Sequence, residues 1–188
     1  TTFGSEVINC ATEEELAHHP SVDWVFIGSP NGHHARQSVL ALRAGKNVFC
    51  EKPLAIHLDD CQLVRNAVRE SGGTFAFGLV LRYSPHYQKI REIVQSGALG
   101  ELISFEFNET LAFNHGGYIF GNWRRHRELA GSHLLEKCCH DLDLANWITG
   151  SRPRRAASFG GRDFFLPANE KHVTRIGPDA KGEPAYQS

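Results

Sequence analysis

The chain has 188 residues, 41% hydrophobic and 22% charged, with 20 Lys and Arg against 21 Asp and Glu. These are ordinary globular proportions, and a formal charge of −1 leaves no electrostatic footprint for nucleic acid or an anionic membrane. The length suits one domain or one and a half, and no apolar run reaches the roughly 18 residues that cross a bilayer.

In chain order, the start Thr1-Thr2-Phe3-Gly4-Ser5-Glu6 lacks the charged and apolar regions of a signal peptide. The sequence contains no Met, so a processed, excised or fragmentary N-terminus is expected. Thr12, with Glu15 three residues on, is a capping box that opens a short helix from Glu13 to His18. Val22 to Gly28 is nearly continuous in apolar residues and predicts a strand buried on both faces, as in a parallel sheet. Ser29-Pro30-Asn31-Gly32 breaks the chain. Ala35, Val39 and Leu42 then repeat at helical spacing up to Ala44-Gly45, where glycine suits a C-cap. Asn47 to Cys50 is a second buried strand, closed by Glu51-Lys52-Pro53. A helix over about Leu58 to Ser71 stops at Gly72-Gly73, and a third strand is expected over Thr74 to Leu81. Strands and helices alternating through short connections predict a parallel sheet with right-handed crossovers.

The character changes after Arg82. A helix from Pro85 to Ser96 has proline in its first turn. Leu102 to Asn108 alternates, with Ile103, Phe105 and Phe107 on one side, and predicts a strand with one wet face, usual in antiparallel sheets. Residues 110–132, rich in Gly, His and Arg, read as a long functional loop. Ser132 to Thr149 is helical, with Leu135, Cys138, Leu142 and Ala145 on its stripe. A weak strand is expected near Ala156 to Phe159, and the chain from about 167 onward reads as a loose polar tail.

Ligands of parallel α/β sheets bind beyond the carboxyl ends of the strands. Two such ends carry unusual chemistry: Ser29-Pro30-Asn31-Gly32-His33-His34, and Glu51-Lys52, where two charged groups directly follow a buried strand. The bland alternative is a surface ion pair beside a proline turn. Glu136 and His140, four apart on a helix, share a face, so the carboxylate can orient the imidazole as a general base requires. The alternative is a solvent-paired histidine. Cys138-Cys139-His140 point about 100° apart on a helix and do not converge on one metal ion; the cysteines read as packing. Five cysteines without C-x-x-C suit a reducing compartment, hence a cytoplasmic protein.

Ser29-Pro30-Asn31-x-x-His34, Ala44-Gly45-Lys46-Asn47-Val48-Phe49-Cys50-Glu51-Lys52-Pro53, Arg82-Tyr83-x-Pro85, Ser96-Gly97-x-Leu99-Gly100 and Glu136-x-x-x-His140-Asp141-x-Asp143 occur in that order. Together they resemble the glucose–fructose oxidoreductase / inositol dehydrogenase / rhizopine catabolism family, Gfo/Idh/MocA. The resemblance implies an α/β fold: a partial Rossmann-type parallel sheet over residues 1–81, followed by part of an α/β domain with an open, mostly antiparallel sheet over 82–188. It implies NAD or NADP as cofactor and a small-molecule sugar or polyol substrate, with hydride transfer to or from a secondary alcohol carbon. Ser29, Pro30, Asn31, His34, Glu51, Lys52 and Arg82 would lie along the cofactor, as would Trp123 and Arg124, which resemble a Trp-Arg pair of some members. Lys52 and His140 would be catalytic, His140 as proton acceptor, with Glu136 in the place of the family's aspartate. No metal, nucleic acid or membrane is implied, and a homo-oligomer would form through the open sheet.

Two departures stand out. Glu replaces Asp at 136, adding one methylene. No G-x-G-x-x-G occurs in the sequence, and the family carries it upstream of anything matching Thr12. The expectation is therefore a fragment or truncated member that binds dinucleotide weakly by itself and is inactive alone. Rival readings are a non-catalytic sensor of cofactor or sugar, and an NAD-dependent glycosidase.

Overall fold

The structure is a computed structural model that describes residues 7–111, 122–164, 166–172, 175 and 182. The chain divides into two compact units, Thr1–Leu79 with Glu128–Glu136, and Val80–Arg127 with Lys137–Ser188.

The first unit opens with α1 (Glu13–His18). Its N-cap Thr12 accepts the amide of Glu15 at 3.1 Å, while the Glu15 carboxylate accepts from the amide of Ala11 at 2.6 Å, one residue before the position of the standard box. Then follow β1 (Trp24–Ile27), α2 (Asn31–Arg43), β2 (Asn47–Cys50), α3 (Leu58–Ser71) and β3 (Phe75–Phe77). The end of α2 is a Schellman motif: the Lys46 amide bonds the Ala41 carbonyl, that of Gly45 bonds Leu42, and Gly45 takes φ +77°.

The strands pair in parallel in the order β1-β2-β3, with Val25 opposite Val48 and Val48 opposite Phe75. Sheet order follows chain order, so two right-handed crossovers return along the same side and α2 and α3 cover the same face. On that face Val25, Ile27, Val48 and Cys50 pack with Ala41, Leu42 and Ala67. The alternate residues face the other way: Phe26 and Phe49 stack with centroids 5.3 Å apart, and Phe26 is 75% exposed. This corrects the expectation of a first strand buried on both faces. The third strand is also shorter than expected. The Gly78 amide makes the last contact with β2, on the Cys50 carbonyl at 2.8 Å; the Leu79 amide then turns back onto Phe77, and a 3₁₀ turn follows over Val80–Tyr83.

In the second unit, α4 (Pro85–Gln95) follows that turn. Residues 102–111 form no strand, against expectation, and Ile103 is 87% exposed. The alternation is that of an extended segment without a ladder partner. Phe105 and Phe107, two apart and on one side, stack at 6.2 Å, and Tyr87 of α4 approaches Phe107 at 6.5 Å. Side-chain alternation gathers these rings, but a strand needs a second backbone. The weak strand near residues 156–159 is likewise absent, and Phe159 is exposed. Among the described residues the second unit therefore contains no antiparallel sheet.

Of the loop expected at 110–132, residues 112–121 lie outside the described residues. Its remainder holds a 3₁₀ turn (Trp123–Arg125) and α5 (Arg127–Ala130), ahead of α6 (His133–Thr149). The first turn of α6 belongs to the first unit and the rest to the second. The chain from Pro167 is not simply loose: Pro167–His172 is a 3₁₀ helix, in which the Asn169 amide group donates to the carbonyls of Asp163 and Phe164 at 3.2 and 2.8 Å. Among the described residues no helix is long and apolar enough to cross a membrane.

Candidate active site

Three elements of the first unit bring polar groups together at the carboxyl end of its sheet. The chain leaves β1 through Gly28 and Ser29 and enters α2 at Pro30, whose side chain leaves the first helical amides uncapped. It leaves β2 at Glu51-Lys52, followed by a cis peptide to Pro53. Residues 128–136, the end of α5 and the short link after it, bring in the first turn of α6. Gly32 makes this approach possible, since a Cβ there would lie 2.6 Å from the Glu128 carbonyl oxygen.

Glu136 is the centre of the cluster and is 4% exposed. Its Oε1 accepts from Lys52 Nζ at 3.0 Å, and its Oε2 accepts from Asn31 Nδ2 at 2.5 Å. Lys52 Nζ also donates to the Glu136 main-chain carbonyl at 2.7 Å. That carbonyl stands four residues before the amide of His140, its partner in an α-helix. Asn31, itself buried, donates as well to the Ala130 carbonyl at 3.0 Å. Glu51 lies beside Lys52 and accepts its amide at 3.2 Å. Gly78 closes the other side of Glu51, because a Cβ there would lie 3.0 Å from Oε2 and 3.1 Å from Cα.

His34 is buried within the same region. Its Nδ1 lies 2.7 Å from the Pro53 carbonyl oxygen and its Nε2 2.8 Å from that of Ser29, so the ring links the two strand-end loops. Ser29 donates its hydroxyl to Gln37 at 2.6 Å, and Gln37 donates on to Glu13 at 2.8 Å. The sequence-derived set thus divides. Lys52, Glu136 and Asn31 meet, the Glu51 carboxylate accepts only the adjacent Lys52 amide among the described residues, and His34 and Ser29 brace the strand-end loops.

Arg82, Trp123, Arg124 and His140 belong to the second unit. Arg82 forms a two-pronged pair with Asp143, Nε to Oδ2 at 2.7 Å and Nη2 to Oδ1 at 2.5 Å, and lies over the Trp147 ring at 5.8 Å. Asp143 pushes the already high pKa of the guanidinium higher still. Arg91 of α4 stacks on the same indole at 4.6 Å and donates to the Trp147 carbonyl at 3.2 Å. Arg124 covers the Trp123 ring at 4.2 Å. His140 is buried on α6. Residues 136, 140, 143 and 147 lie at helical spacing on one stripe of α6, so one face carries the carboxylate, the imidazole and the clamp.

The Arg82–Asp143–Trp147 clamp and the role of Gly78 are not evident from sequence. Arg82 and Asp143 stand in motifs 61 positions apart, and only the fold pairs them. Among the described residues no His, Cys, Asp and Glu are grouped to hold a metal ion. The Cys138 thiol is pushed up, first by burial and then by Asp141, which suits a packed side chain and not a thiolate nucleophile.

A family model for oxidoreductases of the GFO/IDH/MocA type, with an NAD-binding Rossmann fold, matches residues 2–79, and the model of the GFO/IDH/MocA C-terminal domain matches residues 87–174. The 1,5-anhydro-D-fructose reductase of Ensifer adhaerens is 32% identical over 149 residues, which cover 77% of this chain and 43% of that protein. The structure of an NAD-binding oxidoreductase from Klebsiella pneumoniae is 30% identical with a TM-score of 0.67, covering 75% of this chain and 38% of the other. Levoglucosan dehydrogenase in complex with NADH and levoglucosan gives a TM-score of 0.69 at 25% identity, covering 75% and 38%. The chain spans about two fifths of the length of the curated relatives it matches. Two family models, matched in the order in which the motifs run, cover both units: the chain belongs to the Gfo/Idh/MocA oxidoreductase family.

Proposed function

We propose that this chain carries the nicotinamide-side chemistry of an NAD(P)-dependent oxidoreductase that oxidises a secondary alcohol of a sugar, cyclitol or similar polyol, or reduces the corresponding ketone. The observation that carries the reading is the Lys52–Glu136 pair at the carboxyl end of the parallel sheet. The residues present fit the nicotinamide half of a dinucleotide: uncapped amides at the start of α2, the Glu51 carboxylate and the Lys52 ammonium match hydroxyl and carboxamide groups. Bound NAD(P) supplies the hydride acceptor or donor.

In the oxidising direction His140 accepts the hydroxyl proton of the substrate, a task suited to an imidazole near neutral pH. Lys52 stabilises the alkoxide that develops as the proton leaves. Glu136 keeps that ammonium in place. Two of the three Lys52 N–H groups are spent on Glu136, which aims the third. The near-zero net charge agrees with a neutral polyol partner. Five cysteines, an odd count with no C-x-x-C, support a reducing, cytoplasmic setting.

The test is turnover by a full-length version that contains this chain, with NAD+ and NADP+ against a panel of inositols, aldoses and anhydro sugars, followed by nicotinamide absorbance. Lys52→Ala is expected to lower kcat/KM by about 10²-fold or more. Turnover indifferent to Lys52 would refute the assignment.

A further inference from the structure

We infer that Asn31 is a positioning residue: it orients the Glu136 carboxylate, and through it the Lys52 ammonium, instead of donating to a bound ligand. The inference rests on the reading of Lys52 as the working cation and assigns Asn31 a part in that site.

The amide group of Asn31 has two N–H donors, and both are committed, to Ala130 O at 3.0 Å and to Glu136 Oε2 at 2.5 Å. Both partners are acceptors, so the amide can take only the orientation with nitrogen toward them. Asn31 is 3% exposed, which leaves no solvent to replace either bond. Each oxygen of Glu136 therefore has its own donor, Asn31 on Oε2 and Lys52 on Oε1, and the carboxylate plane cannot turn. Asn31 is also the first residue of α2, so Oε2 lies at the positive end of a 13-residue helix. With Asn31 removed, Oε2 loses that donor and the hold on the ammonium weakens. The bond to Ala130 adds a second effect, holding the residues just before α6 against α2.

The test measures Lys52 directly and requires no turnover, so failure of the dehydrogenase reading would leave its result intact. The chain is treated with acetic anhydride at fixed pH, and acetylation of Lys52 is followed by site-resolved mass spectrometry. Asn31→Ala and Glu136→Gln are each expected to speed acetylation of Lys52 by about fivefold. The double variant is expected to be no faster than Glu136→Gln, because Asn31 acts through that carboxylate. A wild-type rate in Asn31→Ala, even with a lowered melting temperature, would show that Asn31 only holds the chain at Ala130 and would overturn the inference. So would additive effects in the double variant.

If Asn31→Ala does not fold, Asn31→Asp decides. It keeps the size but sets a second carboxyl against Glu136 Oε2, with Lys52 and Glu51 as the neighbouring charges. Two carboxyls that close share a proton in the folded state. One then has a raised pKa, and stability is lost as pH rises. The melting temperature of Asn31→Asp should fall between about pH 5 and 8 while that of Asn31→Ser stays level. Parallel pH profiles would overturn the contact on which the inference stands.

Discussion

At the scale of single residues, the site depends on atoms with little freedom to move. Gly78 shows this for Glu51: a methyl group would meet the carboxylate at 3.0 Å and the Cys50 carbonyl oxygen at 3.2 Å. Gly78→Ala should therefore displace Glu51 and destabilise the chain by about 1–3 kcal/mol, read from urea denaturation. Cys50 reports on the core beneath. It is fully buried, and burial pushes its thiol from 9.0 up to about 11. The thiol is neutral when folded, while the unfolded chain ionises near the ordinary value. The stabilisation is complete below that value and is lost as pH rises through the folded one. The melting temperature should fall between pH 9 and 11 in the wild type, and this slope should flatten in Cys50→Ala. The same burial predicts that N-ethylmaleimide at neutral pH leaves Cys50 unmodified while the chain is folded. Lys52 and Glu136 stood out in the motifs as candidates, and the fold brings them together: Glu136 reaches Lys52 and Asn31 at once. That Asn31 spends its donors on protein was not legible, because its partners lie 99 and 105 positions away.

At the scale of elements, α6 is held at two places along one stripe. Its first turn is gripped by Lys52 and Asn31, and Asp143 and Trp147 are gripped by Arg82 and Arg91. Asp143→Ala removes a two-pronged pair whose arginine side chain is 40% exposed, so solvent screening limits the cost to about 1 kcal/mol. Double-mutant cycles with Arg82→Ala should recover most of that as coupling. Gly32→Ala tests the approach of α5 to α2. The Cβ would meet a backbone oxygen, which cannot swing aside, so a clear fall in melting temperature is expected. The helices were readable from their caps and periodicity because those signals are local: Thr12, Gly45 and Gly72 end or begin helices where the sequence suggests. The strands were less readable, because a strand is completed by a partner elsewhere. Residues 102–108 have the alternation but no ladder, and residues 74–81 have the apolar run but only three strand positions.

At the scale of the whole chain, described elements alternate with irregular backbone. Residues 151–162 are exposed and without regular structure, and contain Arg152, Arg154, Arg155 and Arg162. Limited trypsin treatment should cut first after Arg154 or Arg155, since Pro153 protects the bond after Arg152, and mass spectrometry will locate the nick. Early cleavage within α2 or α3 would contradict the core packing described above. By itself the sequence determined the helices, the alternation that makes a parallel sheet, and, through five ordered motifs, the family. These follow from nearby residues: capping, periodicity and short motif spacing. Only the tertiary structure decided that α2 and α3 lie on one face of the sheet, that Phe26 is exposed, and that the half-buried Lys52 meets the buried Asn31–Glu136 pair. Those facts rest on contacts between residues far apart in the chain, which no local pattern encodes.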